Sequence, residues 1–213
     1  MVTATRRYRS EARAEQARRT RERILKSARV LFLEKGWAGT TIHAVAERAR
    51  VSSETIYAIY RSKPALLGAV IRDAVTRGEE PEDPLERRWV EEVLALPGLE
   101  ARLGAFAAHA AETLRLTSPL YAVIRDAGTG APELRELDRE LREMRYRDQA
   151  KIMKAAAERG GLAAGMSVAE AAETFSALAS PEIRHLLTVG RRWSQKRYSQ
   201  WLERTVTSTL LPR

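Results

Sequence analysis

Residues 40–63, "TTIHAVAERARVSSETIYAIYRSK", decide the fold. Ile42, Val45, Ala46 and Ala49 recur at helical spacing on one face, and Ala46 is small enough to let a second helix cross closely. Val51 plugs the corner. Ser52 is placed to accept a hydrogen bond from the backbone N–H of Thr55 and so to start a second helix, in which Ile56, Ile59 and Tyr60 return to the core. The spacing predicts short helices over 41–49 and 53–60, with Ser53, Glu54, Thr55, Tyr57 and Ala58 on or near the outer surface of the second. This is the pattern of a helix-turn-helix, whose second helix offers its N-terminal half to the DNA major groove. An ordinary helical hairpin has the same periodicity, so the apolar pattern alone leaves both readings open.

Charge separates them. Residues 1–63 carry 15 Lys+Arg against 6 Asp+Glu, whereas residues 64–213 carry 22 against 22, so the whole formal excess of +9 sits in the first third. Arginine outnumbers lysine 31 to 6, but a compositional bias would act along the whole chain. One sign of charge concentrated on one module is the electrostatic footprint of a polyanion partner. An anionic membrane surface is not expected, because the basic N-terminus lacks an amphipathic helix with aromatic anchors.

Working outward, Ile24, Leu25, Ala28, Leu31 and Phe32 predict a helix over about 13–35, stopped at Lys35-Gly36. Ser62 can cap a further helix running to Arg77, with Pro64 tolerated in its first turn. "GEEPEDP" (78–84) is an acidic, proline-broken connection. Beyond it, helical periodicity covers about 85–95, 99–116, 119–127, 133–159, 168–179, 182–190 and 194–210, and no convincing strand is found. The expected fold is therefore all-α. Absence of cysteine excludes disulfides and thiolate metal sites, and no apolar run approaches the roughly 20 residues of a membrane span, so a cytoplasmic location is expected.

"ERILKSARVLFLEKGWAGTTIHAVAERARVSSETIYAIYRSKPALLGAV", residues 22–70, resembles the DNA-binding domain of TetR-family transcriptional regulators. The similarity rests on Phe32, Lys35-Gly36, Trp37, Thr40-Thr41, Val45-Ala46, Ala49, Val51-Ser52, Thr55, Tyr57, Tyr60, Ser62-Lys63 and Leu66-Leu67. Three positions depart from the family pattern: Arg50 stands at the turn usually given to Gly, Tyr60 replaces Phe, and Glu54 replaces a small residue. The resemblance implies an N-terminal three-helix helix-turn-helix domain followed by a C-terminal helical ligand-binding and dimerisation domain. It assigns Thr41, Tyr57 and Lys63 to the DNA backbone, and His43, Ser53, Glu54 and Thr55 to the groove. The expected division is a basic arm at 1–20, the DNA-binding domain at 21–63, and an effector-binding and dimerisation domain at 64–213, with 64–77 as connecting helix. In the arm, Arg6, Arg7 and Arg9 are candidates for an adjacent minor groove, with a solubilising tail as the alternative.

The C-terminal part offers no catalytic pattern. Its histidines are His109 and His185, no H-x-x-x-H pair exists, and "GTGAP" (128–132) lacks the Gly-Lys-Ser/Thr of a phosphate loop. Carboxylates in "ELRELDRELREMRYRD" (133–148) alternate with arginines as on a salt-bridged, exposed helix face. No enzyme activity, metal or cofactor is expected. A cavity between helices would suit a small-molecule effector, with Trp89, Phe106, His109, Tyr121, Ile124, Arg125 and Met153 as candidate lining. A homodimer is expected through the last helices, where Phe175, Leu178, Ile183, Leu186, Leu187, Tyr198, Trp201, Leu202, Val206 and Leu210 supply a large apolar surface. The expected function is a one-component repressor that binds a pseudo-palindromic operator as a dimer and is released by a small molecule. An effector-independent, chromosome-organising DNA-binding protein is the rival, and a helical enzyme with an appended DNA-binding domain a remoter one.

Overall fold

In a computed structural model of the chain, residues 2–78, 83–158 and 161–211 are described, the side chains of residues 2–11 and of Thr129 excepted. The described residues form helices and turns with no strand among them. They divide into two units. The first extends to Asp73 and takes in Val123–Leu137; the second comprises Ala74–Ala122 and the chain from Asp138 onward.

In the first unit, helix α1 spans Val2–Gly39 with a break at Gly36, whose φ of 63° suits glycine and ends the regular helix where Lys35-Gly36 predicts. The helix begins well before residue 13, so the expected basic arm is continuous with it. Ile24, Ala28, Leu31 and Phe32 are buried on one stripe, and Phe32 stacks on Trp37 at 6.1 Å. Helices α2 (Ile42–Ala49) and α3 (Ser53–Tyr60) follow, burying Ile42, Val45, Ala46, Ala49 and Ile56. Helix α4, Lys63–Thr76, starts under a cap in which the Ser62 hydroxyl accepts from the Ala65 N–H at 3.2 Å. It buries Leu66, Leu67, Val70 and Ile71. A β-carbon on Gly68 would stand 2.8 Å from Leu137 Cδ1, so a larger residue there would require the Leu137 side chain to shift.

The second unit packs α5 (Arg88–Leu94), most of α6 (Gly98–Asp126), the rest of α7 (Pro132–Ala157), α8 (Val168–Leu178), α9 (Pro181–His185) and α10 (Gln195–Leu210). Val90, Leu103, Phe106, Ile152, Phe175, Tyr198 and Leu202 belong to its core. Two expectations are corrected here. Helix α6 runs through Pro119 instead of breaking at Ser118-Pro119: Leu120 is fully buried, and this packing offsets the missing N–H. Of the residues expected at a dimer interface, Phe175, Tyr198, Leu202, Val206 and Leu210 are fully buried within the protomer, because their helical stripe is spent on the unit's own core. Leu178, Ile183, Leu187 and Trp201 remain half-buried, and Leu186 is exposed beside Val189 in a single π-helical turn, Leu186–Gly190.

Candidate nucleic-acid interface and ligand cavity

Helices α2 and α3 begin under side-chain caps. The Thr41 hydroxyl accepts from the Ala44 N–H at 3.1 Å, and the Ser52 hydroxyl accepts from the Thr55 N–H at 3.2 Å. Each cap satisfies one of the orphan donors of a helix start and is worth about 1 kcal/mol. The turn between them keeps the left-handed conformation at Arg50, with φ 54° and ψ 52°. Around it the Arg50 N–H donates to Glu47 O at 3.2 Å and the Val51 N–H to Ala46 O at 3.0 Å. The Arg50 side chain is exposed.

With α3 seated on Ile56, its outer surface is free. His43, Glu54 and Tyr57 are exposed, while Ser53 and Thr55 are half-buried. The Thr55 hydroxyl is engaged with that of Ser52 at 3.1 Å. Hydrogen bonds from its own backbone N–H and from Ser52 hold the Glu54 carboxyl below the usual carboxylate range, so this acidic side chain folds back on the helix start. Tyr60 is half-buried, and burial raises its hydroxyl pKa. Lys63 does not stand free: its ammonium donates to the Trp37 carbonyl oxygen at 2.5 Å and lies 4.0 Å from the centre of the Trp37 ring. Partial burial lowers its pKa. Two of its three N–H donors remain for another acceptor. Arg6, Arg7 and Arg9 lie outside the residues whose side chains are described.

The second unit holds a cavity of about 70 Å³. Four of the seven expected ligand residues, Trp89, Phe106, His109 and Tyr121, line it. Trp89 and His109 stack at 3.5 Å, and Phe106 lies 6.0 Å from Trp89. Burial, followed by the charges of Arg77 and Arg87, pushes the His109 pKa down to about 4, so the ring is neutral and acts as a flat wall. Burial raises the Tyr121 pKa to about 12. The other three expected residues are elsewhere. Ile124 and Arg125 belong to the first unit, Arg125 exposed and paired with Asp126 at 3.2 Å. Met153 is fully buried in the core and does not reach the cavity wall.

The sequence reading missed the polar wall, formed by Arg87, Thr113, Arg145, Asp148 and Gln149. Arg87 is buried and pairs with Asp148 at 2.9 Å. Arg145 and Asp148 fall within the run read as an exposed salt-bridged face, yet Leu134, Leu137 and Leu141 of the same helix are buried. The missed signal was that Arg145, Asp148 and Gln149 continue the inner stripe set by those leucines. No group of His, Cys, Asp and Glu that could hold a metal occurs among the described residues. Among them, too, no helix is long and apolar enough to cross a membrane.

Comparison with known proteins agrees with this geometry. Residues 24–70 match the family profile described as bacterial regulatory proteins, tetR family. Among solved structures, a protein from Rhodococcus sp. assigned to the TetR-family transcriptional regulators is similar with a TM-score of 0.71 at 18% identity, covering 90% of this chain and 98% of that one. NalD from Pseudomonas aeruginosa, described as the secondary repressor of the MexAB-OprM multidrug efflux pump, gives 0.66 at 20% identity, with 92% and 98% covered. A transcriptional regulator from Saccharomonospora viridis in complex with choline gives 0.62 at 22% identity, with 91% and 98% covered. No curated protein sequence matches the chain.

Proposed function

We propose that this chain, a TetR-family transcriptional regulator by its residues 24–70, is a one-component repressor. As a homodimer it binds a pseudo-palindromic operator and leaves it when a small molecule enters the second unit. The observation that carries the reading is the capped, outward-facing front of α3. Ile56 anchors the helix, while Ser53, Glu54, Thr55 and Tyr57 remain at or near the surface, and Thr41 is exposed at the start of α2. Hydroxyls and N–H groups at helix starts are phosphate donors, and short polar side chains at the front of the second helix reach base edges. NalD, similar in fold, is a repressor, which favours that sense of regulation.

Reading a palindrome requires two such helices held about one turn of DNA, or a multiple, apart, and hence a two-fold dimer. The surface we assign to it is the exposed pair Leu186 and Val189 with half-buried Ile183, flanked by Leu187 and Trp201, which also pack against the protomer's own core. Release by a ligand is supported by the cavity and by α4, one helix that carries Lys63 at its start and Val75 in the cavity wall. Footprinting of the full-length protein on DNA upstream of its own gene tests the reading. Two protected half-sites, lost on adding an effector, are expected. Binding no tighter than to unrelated DNA of the same length overturns it.

A further inference from the structure

The cavity wall combines two kinds of group. Trp89, Phe106, Tyr121 and the neutral His109 are aromatic and uncharged. Among them stand buried polar atoms with no hydrogen-bond partner: Arg145 Nε and Nη1, Thr113 Oγ1 and Gln149 Oε1. The neighbouring carboxylates are already engaged. Asp148 is held by Arg87 at 2.9 Å, while Asp138 and Glu182 are held by Arg142 at 2.8 and 2.7 Å. Among the cavity-lining residues the charged groups are Arg87, Arg145 and Asp148, which leaves one positive charge over. Buried donors without an acceptor destabilise the site that contains them, and a guanidinium presents its donors in a planar fork matched to a carboxylate.

We infer that the effector is a small organic anion, a flat aromatic or other apolar body ending in a carboxylate or similar acid group. Its charge is taken by Arg145 and its body lies between Trp89, Phe106 and Tyr121. Thr113 supplies a further hydroxyl donor, and Gln149 Oε1 accepts from any hydroxyl or N–H on the ligand. A cation of the choline type, seen in the Saccharomonospora viridis regulator, would instead meet an unneutralised guanidinium. The inference rests on the effector reading above for its consequence, though not for the binding site itself.

The test uses three probes of nearly equal shape, benzoate, benzamide and benzylammonium, titrated at up to millimolar concentration into the full-length protein by ligand-observed NMR. Benzoate should bind about tenfold tighter than benzamide, the size expected of a charge-assisted hydrogen bond, with benzylammonium weakest. Arg145→Met should abolish the preference while raising the melting temperature of the ligand-free protein, and Arg145→Lys should keep part of it. Equal binding of acid and amide, tightest binding of the cation, or no binding of any probe overturns the anion site. These comparisons hold on the wild-type chain, whatever the variants do. The same samples are then assayed on operator DNA. Benzoate that fills the cavity and leaves operator affinity unchanged overturns the effector reading while the anion site stands; release by the cation does the reverse.

Discussion

Replacing Arg50 with Gly should stabilise the protein. At φ 54° and ψ 52° the residue is left-handed, and its N–H and the next one close the end of α2 on Glu47 and Ala46. For a residue with a β-carbon this conformation costs about 1–2 kcal/mol. Glycine avoids that cost but loses about 0.5–1 kcal/mol through its more flexible unfolded chain. The Arg50 side chain is exposed, so removing it forfeits little packing. The net gain is about 0.5–1 kcal/mol, which in a chain of this length raises the melting temperature by about 1–4 °C. Thermal denaturation followed by circular dichroism at fixed protein concentration measures it, with Arg50→Ala as control. Alanine removes the same side chain and keeps the β-carbon, so it should show no gain. A glycine variant no more stable than the alanine variant would refute the strain argument. Both variants lose the same guanidinium, so any DNA affinity that Arg50 contributes should fall equally in the two.

Three further outcomes follow from named contacts. Lys63→Met should cost about 1–2 kcal/mol in urea denaturation, through loss of the hydrogen bond to the Trp37 carbonyl and of the contact with its ring. It should also flatten the salt dependence of operator binding by roughly one charge per half-site; an unchanged salt slope in a folded variant would show that Lys63 serves the fold alone. His109 has its pKa depressed to about 4, below the ordinary 6.5, so the unfolded chain binds the proton first. The stability it confers is full above pH 6.5 and lost as pH falls through 4, on the order of 3 kcal/mol. His109→Phe keeps a ring beside Trp89 and should flatten the stability profile across that window. Glutamate at both Leu186 and Val189, which are 54% and 62% exposed, should turn the proposed dimer into a folded monomer in sedimentation and weaken operator binding steeply.

The helix-turn-helix was largely legible because its information is local. Ile42, Val45, Ala46 and Ala49 declare one face within eight residues, Thr41 and Ser52 mark the helix starts, and Gly36 marks the stop before them. No periodicity reports that Leu137 packs on Gly68, so nothing in the sequence could assign 123–137 to the first unit. Of the long apolar stripes expected at an interface, Phe175, Tyr198, Leu202, Val206 and Leu210 are spent on the protomer's own core. Tyr198, Leu202 and Val206 are spaced for burial, and spacing does not say whether the burial is within one chain or between two. Pro119 misled for a related reason: a proline's local cost is a few kcal/mol, about what burying Leu120 and its neighbours returns.

The small volume of the cavity bears on how a ligand could act at all. Pockets that enclose drug-sized ligands run to several hundred Å³, against about 70 Å³ here, so the described conformation admits little more than a single ring without widening. A ligand that needs a wider cavity binds the wider state in preference, and differential affinity is the only currency in which it can shift an equilibrium. A tenfold loss of operator affinity requires a preference of only about 1.4 kcal/mol, less than the burial of one apolar side chain contributes. Linkage makes the coupling reciprocal: if widening and operator release are the same transition, saturating operator must weaken ligand binding by the same factor as ligand weakens operator. Titrating an effector with and without operator DNA measures both factors. Equal ligand affinity in the two titrations would mean that the cavity widens without consequence for DNA, and the protein would then act on its operator independently of what the cavity holds.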